Sequence, residues 1–205
     1  MATKTALTII QGKTFKDILR WETDPIVRKV ITGIDLSTGC PRPTVAGHGL
    51  PTGWNVAVYN VAQPKEINAQ NNPPSEDDFT PATVIDSNTL ELNKISAMDW
   101  KPYTSGGILM WNTPKDLTGY TFRMKIKNKV GGTVLASSDA ADSPLNIINF
   151  AVDNTLKTIT RTIADEDTAA LAFKTGVYDV EAVSPGGEVT LLLYGSVSVE
   201  KEVTT

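Results

Sequence analysis

The sequence predicts an all-β fold: a discontinuous β-sandwich with an inserted small β-barrel-like module and one short helix. Short runs rich in β-branched residues alternate apolar and polar positions, which is typical of strands. Glycine, proline, asparagine and aspartate break these runs at spacings typical of sandwiches and barrels. Most prolines and the longest loops fall in the middle of the chain. The predicted sandwich therefore comprises residues 1–30 plus 112–205, and the insert comprises residues 31–111.

Sandwich strands are predicted on both sides of the insert. In residues 120–128 (YTFRMKIKN) apolar side chains alternate with basic ones, so one face is predicted to be buried and the other to meet water. Residues 164–174 (ADEDTAALAFK) are predicted to form the helix, because alanine and leucine favour helices and the acidic residues suit a helix N-terminus; Gly176 would end it. The remaining sandwich strands are predicted at residues 7–11, 15–21, 133–136, 147–152, 158–163, 177–183, 188–194 and 196–203.

The insert is predicted to contain three strands. Residues 54–61 (WNVAVYNV) alternate like a half-buried strand. Two shorter strands are predicted at 81–85 and 89–92, separated by a turn at 86–88, where aspartate, serine and asparagine favour a tight reversal. The dense prolines and glycines around these strands predict long loops.

Composition excludes several classes of function. The chain has 205 residues, of which 40% are hydrophobic, and its 19 basic and 23 acidic residues give a net charge of -4. Nucleic-acid binding normally requires a concentrated basic surface. No run approaches the roughly 20 apolar residues that span a bilayer, and the N-terminal segment is too short and too polar for a signal peptide. Cys40 is the lone cysteine, so no intrachain disulfide is expected, which fits a cytoplasmic origin.

Two stretches resemble a family of phage proteins. Residues 116–124 (DLTGYTFRM) and 176–180 (GVYDV), followed by the closing hairpin, resemble the N-terminal β-sandwich domain of phage baseplate upper proteins. In that family a strand similar to residues 11–15 (QGKTF) comes shortly before the LTGY segment, whereas here roughly a hundred residues separate the two. The resemblance implies one sandwich that is interrupted by an insert.

The intervening residues resemble a second module. Residues 47–53 (GHGLPTG), 84–92 (VIDSNTLEL) and 103–107 (YTSGG) are similar to a small β-barrel that recurs in phage tail proteins and has a counterpart in ubiquitin-activating enzymes. Together the resemblances imply a structural protein of the virion, in the tail, baseplate or fibre-attachment region, that is assembled in the host bacterial cytoplasm. The implied partners are other phage structural proteins and further copies of the chain.

Three groups of side chains are candidates for contact with a partner. The tryptophans lie in or beside the insert, where they would either be buried or form an exposed aromatic patch for a subunit or a sugar. An acidic run follows two prolines, and it would be a solvated loop, a weak calcium site or a contact. The basic stripe of residues 120–128 would be solvated or would face an acidic neighbour. The candidate interface residues are Trp100, Tyr103, Glu76, Asp77, Asp78, Arg123, Lys125 and Lys127.

No catalytic, metal-binding or cofactor-binding residue is predicted. His48 is the only histidine, and its neighbours Gly47 and Gly49 indicate a turn rather than a catalytic base. Cys40 and His48 do not have a recognisable metal-ligand spacing. The acidic runs at 76–78 and 165–167 are typical of a solvated loop and a helix end, and the sequence contains no phosphate-binding glycine loop. The chain is therefore expected not to be an enzyme.

The sequence leaves two alternative functions open. A small sandwich with a protruding insert is also typical of a capsid decoration or head-fibre protein. A carbohydrate-binding or depolymerase module is the third possibility, although no residue pattern supports a host glycan as ligand.

Overall fold

The computed structural model describes residues 2–202. Strands take up 47% of the chain and helical elements 7%, so the predicted all-β class is confirmed. The helical elements described are α1, Asp165–Ala169, and 3-10 turns at Lys65–Ile67, Glu76–Asp78 and Ala140–Asp142. The strands, in chain order, are β1 Thr3–Lys4, β2 Leu7–Ile10, β3 Phe15–Leu19, β4 Glu22–Val30, β5 Gly33–Asp35, β6 Arg42–Thr44, β7 Trp54–Val61, β8 Thr80–Val84, β9 Leu90–Glu91, β10 Gly106–Pro114, β11 Thr121–Lys127, β12 Val134–Ser137, β13 Asn149–Asp153, β14 Thr158–Ile163, β15 Thr175–Val183 and β16 Val189–Glu200.

The chain divides into two compact units. The first consists of Met1–Trp21 with Asp116–Thr205, and the second is Glu22–Lys115. The first unit is thus discontinuous in sequence, and the second is inserted between β3 and β11. The inserted unit extends beyond the predicted residues 31–111 at both ends, because β4 and β10 pair with each other inside it.

The first unit is a sandwich of two sheets. One sheet has the order β1-β16-β15-β11-β12, with β2 also paired to β16, and the other has the order β13-β14-β3. β3 precedes the insert and β14 follows it, yet they pair antiparallel with Phe15 opposite Ile163 and Leu19 opposite Ile159. This is the pairing that a sandwich interrupted by an insert requires.

Both sheets contribute to the main core of the sandwich. Alternation along β11 places Met124 and Ile126 inside, with 1% and 0% of their surface exposed, and leaves the basic side chains outside. Burying such side chains stabilises the fold by roughly 1.5–3 kcal/mol each. The other buried members of this core are Leu7, Ile9, Ala136, Ile148, Ile163, Leu171, Tyr178, Val180 and Val197.

Two C-terminal strands are predicted, at residues 188–194 and 196–203. The structure has a single strand there, β16, which ends at Glu200. β16 continues through Gly195, which is opposite Tyr178 in β15. A Cβ atom on Gly195 would lie 1.9 Å from the carbonyl oxygen of Thr5, so this glycine permits a close approach of two backbones rather than a turn. Val203 lies outside the described residues.

The helix is shorter than predicted. α1 ends at Ala169, and Gly176, which was expected to terminate it, lies inside β15. The Thr168 hydroxyl donates to the Lys13 carbonyl oxygen at 2.9 Å, and Leu171 is buried in the sandwich core. These tertiary contacts fix the chain after one turn and override the helix propensity of the segment.

The second unit is a small barrel-like assembly. One sheet has the order β4-β10-β7-β8-β9, and β5 pairs with β6. A bridge between Thr44 and Thr89 joins the β5-β6 hairpin to the chain that leads into β9. The amide of Ile31 donates to the carbonyl oxygen of Gly107 in β10, and the amide of Thr32 donates to that of Thr44 in β6. The turn from β4 to β5 therefore connects the β4 edge of the five-stranded sheet to the β5-β6 hairpin, which is bridged to the chain before β9 at the other edge.

Two tryptophans lie at the centre of the second unit. Trp54 is 0% and Trp111 is 2% exposed, and the Trp54 indole nitrogen donates to the carbonyl oxygen of Asn112 at 2.8 Å. A buried indole N–H is expected to find such a partner. Val56, Leu90 and Leu109 complete the middle of this core.

β4 is a strand that the sequence pattern did not predict. It forms an edge of its sheet, and its register with β10 shifts where Ile26 is opposite Asn112 but Thr23 is opposite Thr113. The two residues left over are Asp24 and Pro25, which form a bulge. An edge bulge is one of the few places where a strand tolerates proline, which cannot donate a backbone hydrogen bond.

Candidate functional site

His48 is a structural turn residue. It is 6% exposed, its Nδ1 accepts from the Leu50 amide at 3.0 Å, and its Nε2 lies 2.9 Å from the carbonyl oxygen of Asp86. Nδ1 is therefore an acceptor, and Nε2 donates to the Asp86 oxygen. Gly47 and Gly49 have φ values of 54° and 68°, which allow the chain to turn tightly on either side. Both ring nitrogens are occupied by backbone groups, so neither can accept a proton from a substrate.

The acidic run 76–78 is a turn organised by one of its members. The Asp78 carboxylate accepts from the amides of Gln70 and Ser75 at 2.9 and 2.8 Å, and from the side chains of Asn71 and Ser75 at 3.0 Å. These hydrogen bonds, led by the Ser75 amide, lower the pKa of Asp78 from 3.8 to about 2. Glu76 and Asp77 are exposed beside it.

The sequence allows Trp100 and Tyr103 to be either buried residues or an exposed aromatic patch, and in the structure both side chains are half-buried. Trp100 is half-buried and packs against the core of the second unit, and Tyr103 does the same. The Tyr103 hydroxyl donates toward the carbonyl oxygens of Gly106 at 2.9 Å and Ile31 at 3.2 Å. Both side chains thus hold the irregular connection 100–105 onto the barrel-like unit.

Residues 2–202 contain neither a cluster of metal-binding side chains nor a helix that could span a membrane. Within residues 2–202, no group of three or more histidine, cysteine, aspartate and glutamate side chains is placed to hold a metal ion. Cys40 is a half-buried free thiol. No helix in this part of the chain is long and apolar enough to cross a membrane.

The basic stripe lines a groove of about 960 Å³ on the outer face of the six-stranded sheet. A row of side chains crosses this face: Lys4 is opposite Tyr194, Tyr194 is opposite Asp179, and Asp179 is opposite Lys125. Residues directly opposite each other in a sheet have Cβ atoms about 5 Å apart. The groove therefore brings four strands, β1, β16, β15 and β11, to one surface.

Two of the three predicted basic residues are ion-paired in this groove. Arg123 Nε lies 2.6 Å from a carboxylate oxygen of Glu181, its cross-strand neighbour. Lys125 Nζ lies 2.8 Å from Asp142 and 3.6 Å from Asp139, and the Asp142 carboxylate raises the pKa of Lys125. The stripe is thus largely neutralised by acids of the same chain, and it is not a purely positive surface.

Asp179 is an acidic residue of this groove that forms none of these ion pairs. Its strand neighbour Lys125 turns toward Asp142, and Arg123 is taken by Glu181. Among residues 2–202, no side chain forms a hydrogen bond or an ion pair with the Asp179 carboxylate. Asp179 is an exposed residue, but partial desolvation of its carboxylate and the like charge of Glu181 raise its pKa above the ordinary value, against the opposing effect of Lys127 and Arg123.

Exposed apolar side chains lie beside this carboxylate. Tyr194 and Leu191 are 41% and 40% exposed, and both line the groove together with Val130, which is 89% exposed. Tyrosine presents a flat ring with a negative face and is enriched at protein interfaces. A carboxylate next to an exposed aromatic ring is a combination suited to a cationic side chain.

The structure groups some predicted residues and separates others. Arg123, Lys125 and Lys127 share the groove in the first unit, whereas Trp100, Tyr103 and residues 76–78 lie in the second unit. Asp179 and Tyr194 were not predicted as site residues. The alternation of β15 could have placed Asp179 on the outer face, but the register that brings Tyr194 beside it cannot be read from either strand alone.

Comparison of the sequence with models of protein families and with curated proteins returns no match.

Proposed function

We propose that the chain is a non-enzymatic structural protein of a bacteriophage virion, in the tail, baseplate or fibre-attachment region. It acts through contacts with other phage structural proteins and with further copies of itself. The observation that carries this proposal is the division of the chain into a discontinuous sandwich and an inserted barrel-like unit.

The sandwich supports the proposal because it joins the separated segments of one resemblance. Residues 11–15 and 116–124 resemble consecutive parts of the baseplate domain, and both belong to the first unit although the insert separates them in sequence. Phe15 at the end of the first segment is in β3, which pairs with a strand from beyond the insert. If the similarity of these short segments were due to chance, there would be no reason for both segments to belong to the same unit.

The inserted unit supports the proposal in the same way. Residues 47–53, 84–92 and 103–107 resemble parts of the small barrel of phage tail proteins, and all three belong to the second unit. Within it, Thr89 bridges to Thr44 and Gly107 accepts from Ile31, so two of these segments lie at the points where the strand series is linked.

The groove gives this proposal a surface through which to act. Its lining combines charged side chains with exposed apolar ones, as interfaces between folded subunits do. Virion parts occupy repeated symmetric positions, so contacts that are weak individually hold strongly when several form at once. The engagement of His48 with backbone groups supports a role in contact rather than in catalysis.

The experiment is to locate the chain in particles of the phage that encodes it. Heads and tails are separated by density-gradient centrifugation and analysed by mass spectrometry, and immunogold labelling of whole particles checks the assignment. We expect the chain in the tail fraction, at a copy number that is a multiple of the tail symmetry. Its presence in heads alone would favour the capsid decoration alternative, and its absence from particles would overturn the proposal.

A glycan array and a zymogram with host cell envelopes test the remaining alternative. We expect no saturable glycan binding and no clearing of the zymogram. Clearing that survives removal of contaminating lysins by a second purification step would contradict the non-enzymatic assignment.

A further inference from the structure

Arg28 is an exposed cation at the centre of an exposed apolar strand face. In β4, Ile26, Arg28 and Val30 lie on the face opposite Val27, which packs against the core of the second unit. Ile26 and Val30 are 39% and 67% exposed. A charged side chain on an edge strand commonly prevents that strand from pairing with the strand of another molecule. Here an exposed β-branched residue lies on each side of the charge, and such exposed apolar surface favours contact instead.

Arg28 stands apart from most arginines of this chain. The sequence contains five, and Arg42, Arg123 and Arg161 form ion pairs with acids of the same chain. Among the described residues, no side chain forms an ion pair or a hydrogen bond with Arg28. The chain thus carries a guanidinium without a direct ion pair, Arg28, on one surface. On another it carries a carboxylate without a direct ion pair, Asp179, whose nearest cations are Lys127 and Arg123.

The surroundings of the two groups are complementary. Asp179 lies beside the exposed ring of Tyr194, with Leu191 nearby on the same strand, whereas Arg28 lies between two aliphatic side chains. A guanidinium can pair with a carboxylate and stack on an aromatic ring at once, because it is planar and weakly hydrated. Residues i and i+2 of a strand are about 7 Å apart, so Ile26 and Val30 would reach apolar surface on either side of the central charge.

We propose that β4 of one copy docks in the groove of a second copy, with Arg28 placed between Asp179 and Tyr194. This inference rests on the proposed function, in which copies of the chain contact one another, and it names the two surfaces involved. The surfaces differ, so the contact is heterologous: it propagates from copy to copy and closes into a ring where the rotation allows. A closed ring of copies would fit the repeated symmetric positions of the proposed virion component.

The test is charge exchange in the full chain, followed by sedimentation equilibrium. We expect Arg28→Asp and Asp179→Arg each to weaken self-association by about tenfold or more, because each places like charges in contact. The combined Arg28→Asp, Asp179→Arg variant should recover the affinity to within about threefold, since the pair is restored in reverse. Lys16→Asp, at an exposed position of β3, is the matched control and should change nothing.

A milder variant guards against misfolding. Asp179→Asn removes the charge without adding a cation beside Lys127, and it should weaken self-association while leaving the circular dichroism spectrum unchanged. Tyr194→Ala should weaken association as well, because the stacking surface is removed.

Three results would overturn the inference. They are a wild-type chain that stays monomeric at its highest soluble concentration, an oligomer that none of these variants weakens, and a combined variant that remains as weak as the single ones. Glycan binding that Asp179→Asn abolishes would assign the groove to a sugar instead. A monomeric chain that is nevertheless found in tails would overturn this docking alone, whereas absence from particles would overturn the proposed function.

Discussion

Arg161 and Asp17, which are 144 positions apart in sequence, form an ion pair inside the sandwich. The guanidinium Nη2 and Nε lie 2.7 and 3.0 Å from the same Asp17 oxygen, and Arg161 Nη1 lies 3.6 Å from the Met124 sulfur. The guanidinium carbon is 5.7 and 5.4 Å from the ring centres of Phe15 and Tyr178. A buried cation thus couples β3, from before the insert, to β14, from after it.

The two partners of this pair should differ in their sensitivity to mutation. The Arg161 side chain is 1% exposed, whereas that of Asp17 is 37% exposed. Asp17→Ala leaves the buried Arg161 guanidinium without its ion-pair partner, and we expect it to lower the free energy of unfolding by about 3 kcal/mol or more. Arg161→Met leaves a carboxylate that water can reach, so its cost should be smaller.

Urea denaturation followed by far-UV circular dichroism measures this difference. Arg123→Ala, which breaks an exposed ion pair with Glu181, is the control and should cost less than about 1 kcal/mol. Equal losses in Asp17→Ala and Arg161→Met would show that burial of the guanidinium does not set the cost.

Replacing His48 should reduce stability. His48→Ala removes the hydrogen-bond partner of the buried Leu50 amide and that of the Asp86 carbonyl group, which belongs to an exposed residue, so we expect a loss of about 1–3 kcal/mol. His48→Phe restores ring volume without the hydrogen bonds and should lose a similar amount. Full recovery of stability in the Phe variant, measured by thermal unfolding, would mean that volume rather than hydrogen bonding matters there.

The loop that contains Asp78 should loosen in acid. Its pKa is about 2 in the folded chain against an ordinary value of 3.8, so the folded state binds its proton less readily than the unfolded state. The stabilisation is therefore complete above the ordinary value and is lost as pH falls through the folded pKa near 2. We expect the amide resonances of Gln70 and Ser75, which donate to Asp78, to titrate with that midpoint.

Two variants serve as controls for this titration. Asp78→Asn should place both amide resonances at their low-pH positions at every pH, whereas Asp77→Asn should leave the wild-type titration unchanged. A midpoint close to 3.8 in the wild-type chain would contradict the role of the hydrogen bonds to Asp78.

Gly195 should be intolerant of a side chain. Gly195→Ala would bring a Cβ within 1.9 Å of the Thr5 oxygen, and the backbones of β16 and the β1-β2 connection would have to separate. We expect a loss of about 2 kcal/mol or more in the free energy of unfolding. Gly186→Ala, whose nearest such contact is the Ser184 hydroxyl at 3.8 Å, should change it by less than about 0.5 kcal/mol. A similar loss in both variants would point to a general need for glycine flexibility instead.

Regular alternation made part of the fold predictable. The predicted strands 54–61 and 158–163 agree at both ends with β7 and β14, because β-branched and aromatic residues dominate both runs and polar turns flank them. The inward position of Arg161 in β14 did not prevent the prediction, since its neighbours Ile159 and Ile163 keep the alternation. β4 escaped prediction because Pro25 lies in an edge bulge, and β16 was divided because Gly195 has the composition of a turn. Both exceptions depend on contacts with residues distant in sequence, which a local pattern does not contain.

The candidate site shows the same limit. The outward orientation of Arg123 and Lys125 follows from the alternation of one strand, and the structure places both on the outer face. Their neutralisation by Glu181 and Asp142 does not follow, since it depends on cross-strand register and on the turn after β12. Asp179 has no direct ion pair because Arg123 pairs with Glu181 and Lys125 pairs with Asp142. This arrangement depends on the pairing of several strands, so the sequence of one strand does not predict it.

The inserted unit begins and ends on paired neighbouring strands, with Glu22 opposite Pro114. Its entry and exit points therefore lie side by side, and a short bridge from residue 21 to residue 116 could replace it without stretching the chain. A segment built in this way behaves as a cassette. Recombination at two nearby junctions can exchange it as a whole, so related sandwiches can acquire new attachments without any rearrangement of their own strand order.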